Sequence, residues 1–145
     1  MRAYDFILIL FSFVYAAAVT HVLSVAGEII IASKRIRLSL LNAGWMLAAL
    51  LFTSAWWIGL WDLHAVKAWD VGSIAFNFAV ASGIYLQARL VSPRIPEKGE
   101  LDLQEFHREE GRKYLSAYAL LSWVTVGVNA LLGPANGHLQ WSAQN

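Results

Sequence analysis

Four long apolar runs, parted by short polar stretches, set the pattern of this chain. They lie at about 6–31, 40–61, 71–91 and 114–132. The second, Leu40 to Trp61, holds no charged residue and is long enough to cross a bilayer core, which takes roughly 20 apolar residues. In hydrocarbon every backbone N–H and C=O must be satisfied within the spanning structure, which leaves helices or closed barrels. Barrel strands alternate apolar and polar residues, and these runs do not. The pattern therefore predicts an all-α polytopic membrane protein. Short connections favour antiparallel neighbours, so the expected architecture is a four-helix transmembrane bundle running up-down-up-down. It forms a single transmembrane domain over 1–145.

The ends of the runs add detail. The first begins after a single arginine and passes Ala16-Ala17-Ala18, a stretch that mimics a signal-peptide cleavage site. Apolar sequence continues past it to Ile31 and halts at Lys34-Arg35-Ile36-Arg37, so a retained anchor is expected, long enough to tilt or to project. The second run closes on Trp56, Trp57 and Trp61, followed by Trp69, a belt of the kind found at a membrane face. The fourth closes on Gly133-Pro134, a helix stop.

Basic residues then orient the spans. Lys34, Arg35 and Arg37 lie in the first connection, and Arg89, Arg94, Lys98, Arg108, Arg112 and Lys113 lie in or beside the third. The second connection, Asp62 to Asp70, carries one lysine against two aspartates. The positive-inside rule puts connections one and three in the cytoplasm and both termini outside. The external tail is 133–145, where Trp141 is placed to join the belt.

The cytoplasmic loop, 92–113, is the one sizeable polar segment. Pro93 and Pro96 break the third helix, and Asp102 with Glu105 resembles a capping box from which a helix runs unbroken into the fourth span. Glu109 and Lys113 are spaced to pair along it. Leu103, Phe106 and Tyr114 share a face expected to lie against the lipid surface.

Composition narrows the function. The chain of 145 residues is 58% hydrophobic, above the 45–50% usual for soluble domains. A net charge of +1 gives no field for nucleic acid. The absence of cysteine excludes disulfides, thiolate metal sites and cysteine nucleophiles.

Two stripes of small or polar residues run at a spacing of four: Ser12, Ala16, Thr20, Ser24 and Glu28 with Gly27 beside it, and Ala75, Ala79, Gly83 and Gln87. Small residues let helices approach closely. The plainer reading is packing within the bundle, and the sharper one is a face for a second subunit or a polar path. His21 stands out, since ionisable residues inside spans are rare and often mark ion paths or ligand sites. Glu28 follows seven residues on, from nearly the same face. With Thr20, Asn42 and Gln87 they form a candidate inner polar site. Ser12, Thr53, Asn77 and Asn129 form a candidate outer one. A neutral histidine bonded to a neighbouring helix, and a Glu28 paired with Lys34 or Arg35, are the plainer alternatives.

A bis-histidine haem needs two histidines at one depth. His21, His64, His107 and His138 are not so placed, which argues against haem. His64 with Asp62 and Asp70 matches no metal spacing, and Glu109-Glu110 reads as a solvated helix face. No catalytic set or phosphate loop is present in the sequence. A bound lipid, quinone or pigment stays open, as does a redox or lipid-modifying enzyme that would use one.

The Thr20-His21-Val22-Leu23 and Gly27-Glu28 stretch, the Lys34-Arg35 stop and the Trp56-Trp57 pair give the chain a layout that resembles small four-span bacterial inner-membrane proteins. The resemblance covers most of the chain and implies a fold and a membrane location, without an activity. The function expected is a non-enzymatic membrane component, set in the lipid bilayer, that acts by association, as a homo-oligomer or an accessory subunit of a larger complex. The alternative is an oligomeric channel or small transporter using His21 and Glu28.

Overall fold

A computed structural model describes residues 3–61, 70–96 and 99–132. The second connection with Trp69, the tail with Gly133, Pro134 and Trp141, and both His64 and His138 lie outside the described residues. The protein is built from four long helices: α1 (Ala3–Ile31), α2 (Leu40–Gly59), α3 (Val71–Val91) and α4 (Leu103–Leu132). Two-residue strands β1 (Ile36–Arg37) and β2 (Leu101–Asp102) precede α2 and α4.

Local chemistry explains each boundary. The Ser39 hydroxyl caps α2 by accepting the Asn42 N–H at 3.4 Å. Asp70 caps α3, accepting the Ser73 N–H at 3.0 Å and the Ser73 hydroxyl at 2.6 Å. A residue before proline is pushed out of the α region; Ser92, ahead of Pro93, is extended and ends α3. Asp102 opens α4, its Oδ1 accepting from the Gln104 N–H at 2.8 Å and the Glu105 N–H at 3.3 Å. The reciprocal half of the expected capping box is replaced by an ion pair of Glu105 with Arg108 at 3.4 Å. Lys113 pairs with Glu110 at 2.5 Å, three residues away, in place of the expected Glu109.

β1 and β2 form a parallel pair in the register Ile36 to Leu101 and Arg37 to Asp102, and Arg37 bridges Asp102 at 3.2 Å. This clasp joins the first and third connections at one end of the protein. α1 runs parallel to α3, its chief partner, while α2 and α3 each touch every other helix. α1 and α4 take the far corners.

The interior has two parts. Away from the clasp, Ile7, Phe11 and Tyr15 of α1 meet Val80, Ala81 and Ile84 of α3 and Leu121 of α4. Toward the clasp, Ala18, Val22, Val25 and Ile29 join Met46, Ala49, Ala88 and Val91. Gly83 permits the approach of α4: a Cβ there would lie 3.0 Å from Leu121 Cδ2. Leu103 and Tyr114 belong to the same clasp-side core, with Phe106 packed on it. The face expected to lie on lipid is thus turned inward, because β2 draws the start of α4 down onto Ile36 and Val91.

α1, α2 and α3 are each long and apolar enough to cross a membrane, yet only 28%, 22% and 33% of their most apolar windows is buried. Their outer surfaces carry Phe13, Ile30, Leu40, Leu51 and Val71, and α4 adds Leu120, Trp123 and Val126. Contiguous apolar surface on this scale is foreign to a soluble monomer and marks a membrane or protein interface. α4 differs in its first turns, which hold Glu105, Arg108, Glu109, Glu110, Arg112 and Lys113.

The amide donors of Gln104 and Glu105, with Arg37 beside them, hold the Asp102 carboxyl below the usual carboxylate range. A folded-state pKa depressed in this way stabilises above the unfolded value, about 3.9, and the effect fades as pH falls through the lower folded value. Asp102→Ala is therefore expected to lower the thermal midpoint in detergent at pH 7, and to approach wild type at acid pH below the folded value. An equal deficit at both pH values would show that the carboxylate charge plays no part in the clasp.

Candidate functional site

The residues of the expected inner site divide over two surfaces. His21 is half-buried on α1, and its Nδ1 lies 3.2 Å from Nη1 of Arg89 in the last turn of α3. Guanidinium has only donors, so His21 Nδ1 accepts and the ring proton sits on Nε2. The bond therefore needs a neutral imidazole. Arg89 had entered the sequence reading only as a positive charge of the third connection. Its signal was its place two residues inside the end of the third apolar run, on a helix whose last turn it closes.

Glu28 is exposed. It lies two turns beyond His21, about 10 Å along the axis. α3 stops two residues after Arg89, whereas α1 continues ten residues after His21. α1 thus projects past α3, and Ile29 packs at the level of Ile36 and Leu103. This carries Glu28 to the clasp end, away from the depth of His21. Thr20 is exposed on the outer side of α1.

Asn42 and Gln87 lie instead in the closed seam between α2 and α3, 0% and 1% exposed. Asn42 Nδ2 donates to the Val91 carbonyl at 3.4 Å. Gln87 is one turn before Val91 on the same face of α3. Asn42 Oδ1 and Gln87 Oε1 are the buried side-chain polar atoms without a partner among the described residues. A buried acceptor left unpaired costs about 1–3 kcal/mol. The seam therefore carries an energetic penalty that an apolar pair would avoid.

The expected outer site is made of separate local bonds. Trp57 Nε1 donates to Ser12 Oγ at 3.2 Å, joining α2 to α1. Thr53, 1% exposed, donates to the Ala49 carbonyl at 2.8 Å. Asn77 Nδ2 donates to the Ser73 carbonyl at 2.9 Å, within α3. Asn129 lies in α4, and its side chain is outside the described residues. Of the tryptophan belt, Trp57 and Trp61 are exposed near the end of α2, Trp56 packs edge-on to Phe52, and Trp69 is outside the described residues. Trp123 of α4, 74% exposed, is a further outward tryptophan that the belt had not included. An aromatic column runs inside, with Phe52 5.0 Å from Tyr118, and Trp45 5.9 Å from Tyr118 and 6.2 Å from Tyr114. His107, a haem candidate by type alone, is hydrogen-bonded to the Tyr114 hydroxyl one face along α4.

The two small-residue stripes also part company. On α3, Ala75 and Ala79 are exposed, whereas Gly83 is a true packing contact and Gln87 is buried. On α1, Ala16, Thr20, Ser24 and Glu28 are all exposed, because Phe11, Tyr15, Ala18, Val22 and Val25 face α3. Packing within the bundle, the plainer expectation, does not account for the α1 stripe. No family model matches this chain, and neither does any curated protein or solved structure.

The seam gives a test. Gln87→Met removes the unpaired acceptor at nearly constant volume and is expected to hold or raise stability in detergent, by up to about 3 kcal/mol. Gln87→Ala is expected to lower it by about 2 kcal/mol or more through the cavity it leaves. Equal losses in both variants, read from thermal unfolding, would show that the Oε1 atom has a partner in the protein.

Proposed function

We propose that this chain is a non-enzymatic integral membrane protein that works by association, as a homo-oligomer or an accessory subunit, through the outward face of α1. In this reading 114–132 is the fourth span of an up-down-up-down bundle in a bacterial inner membrane. The clasp end faces the cytoplasm and both termini lie outside. The arginines and lysines gathered at the clasp end support that orientation.

The observation that carries the proposal is the exposure of Ala16, Thr20 and Ser24 along one side of an apolar helix. Between helices in lipid there is no hydrophobic drive, and association comes from close backbone approach and interhelical hydrogen bonds. Small side chains permit the first, and the Thr20 and Ser24 hydroxyls supply the second. The chain has no cysteine, so single cysteines report contact cleanly. Thr20→Cys and Ser24→Cys are expected to form crosslinked species in native membranes, either dimers or adducts with another protein. Val22→Cys, which faces α3, is expected to form none. Monomers alone at every position, on denaturing and blue-native gels, would remove the association.

A channel or small transporter is the second reading, favoured by His21 and Glu28 both opening toward the outer side of α1 rather than into the bundle. Any such path would run between protomers. Ion flux in liposomes is expected to fall severalfold in His21→Ala and Glu28→Gln, and flux equal to wild type in both would exclude these residues from it.

A further inference from the structure

At the clasp end a cleft of about 770 Å³ opens between the first turn of α2 and the charged turns of α4. Its size falls in the ~300–1,000 Å³ range of small-ligand sites. Leu41 and Leu115 line it together with Asp102, Glu105, Arg108 and Arg112. From Leu115 to Arg108 is two turns of α4, about 10 Å. The lining thus changes from apolar to charged across a single headgroup's length. Leu41 and Leu115 lie at the starts of the second and proposed fourth spans, beside the hydrocarbon.

The charges are not equally available. Asp102 is engaged by Arg37 and by two backbone N–H groups. Glu105 is engaged by Arg108. Arg112, exposed beside them, makes no ion pair among the described residues. The one charge of the cleft left to bind with is a cation, and guanidinium matches a phosphate oxygen pair in geometry as well as in sign.

We propose that this cleft holds the phosphodiester of a membrane phospholipid, with Arg112 as its anchor and Leu41 and Leu115 against the glycerol end of the acyl chains. The proposal rests on the membrane placement above and is independent of association through α1. A phosphodiester is common to zwitterionic and anionic lipids, so both are accepted.

Native mass spectrometry of the full chain from mild detergent tests this, with titration by dioleoyl phosphatidylethanolamine, dioleoyl phosphatidylglycerol, dioleoylglycerol and inorganic phosphate. One molecule of either phospholipid per chain is expected to be retained. Dioleoylglycerol, which lacks the phosphate, is expected to be retained about tenfold less or worse, and equimolar inorganic phosphate is expected not to displace the lipid. Arg112→Gln is expected to lower phospholipid retention about tenfold with an unchanged circular dichroism spectrum. Leu41→Ser, at an exposed position, serves as a second variant and is expected to lower it severalfold. Retention in Arg112→Gln equal to wild type, equal binding of dioleoylglycerol, or displacement by inorganic phosphate would each overturn the site. The same spectra count protomers, so a lipid-bearing monomer would count against the homo-oligomer alone, and a lipid-free oligomer would sink the cleft alone.

Discussion

The seating of α1 on α3 is the constraint from which the rest of the architecture follows. Phe11, Tyr15, Ala18 and Val22 are used up against Val80, Ala81, Ile84 and Ala88. Because the two helices are parallel, the contact fixes their relative depth and leaves α1 projecting beyond the end of α3. α2 then fills the groove between α1 and α3, and α4 the groove between α2 and α3. What remains of α1 faces outward, and that remainder contains Ala16, Thr20, Ser24 and Glu28 of its stripe, while Ser12 bonds Trp57 of α2. If lipid surrounds the bundle, the drive for this seating is dispersion and shape rather than the release of water. The paired aromatic and alanine surfaces supply both.

The apolar runs made the helices legible. α3 spans Val71–Val91 as its pattern indicates, and α2 begins at Leu40 as expected. Length and polarity set these limits, and both are properties of one segment. Facing is a property of pairs, and there the sequence was less informative. Leu103, Phe106 and Tyr114 looked like a lipid-facing stripe, since a helix with one apolar side suits a membrane surface equally well as a core. Only the pairing of Ile36 with Leu101, 65 residues away, decides between them. The α1 stripe posed the same ambiguity in reverse, and the larger side chains on its opposite face took the interior.

The polar residues show what depth matching misses. His21, Asn42 and Gln87 do lie toward the same end, yet rotation about each helix sends His21 to Arg89 in an open groove, and Asn42 with Gln87 into a closed seam. Sequence spacing gave no warning that the buried amides would leave oxygens unpaired. Arg89 was visible only as a charge, although a guanidinium inside a helical run has to find an acceptor, and a neutral histidine on the neighbouring helix is a suitable one.

The clasp between β1 and β2 also has a bearing on time. Its halves are separated by 65 residues, as are Arg37 and Asp102, which its bridge joins. A ribosome adding about 5–20 residues per second delivers the second half some 3–13 s after the first. During that interval the α1–α2 hairpin stands without its lock, and α3, the helix on which it will rest, is still being made. The order of synthesis thus sets the closing of the clasp after α1, α2 and α3 are made and before α4.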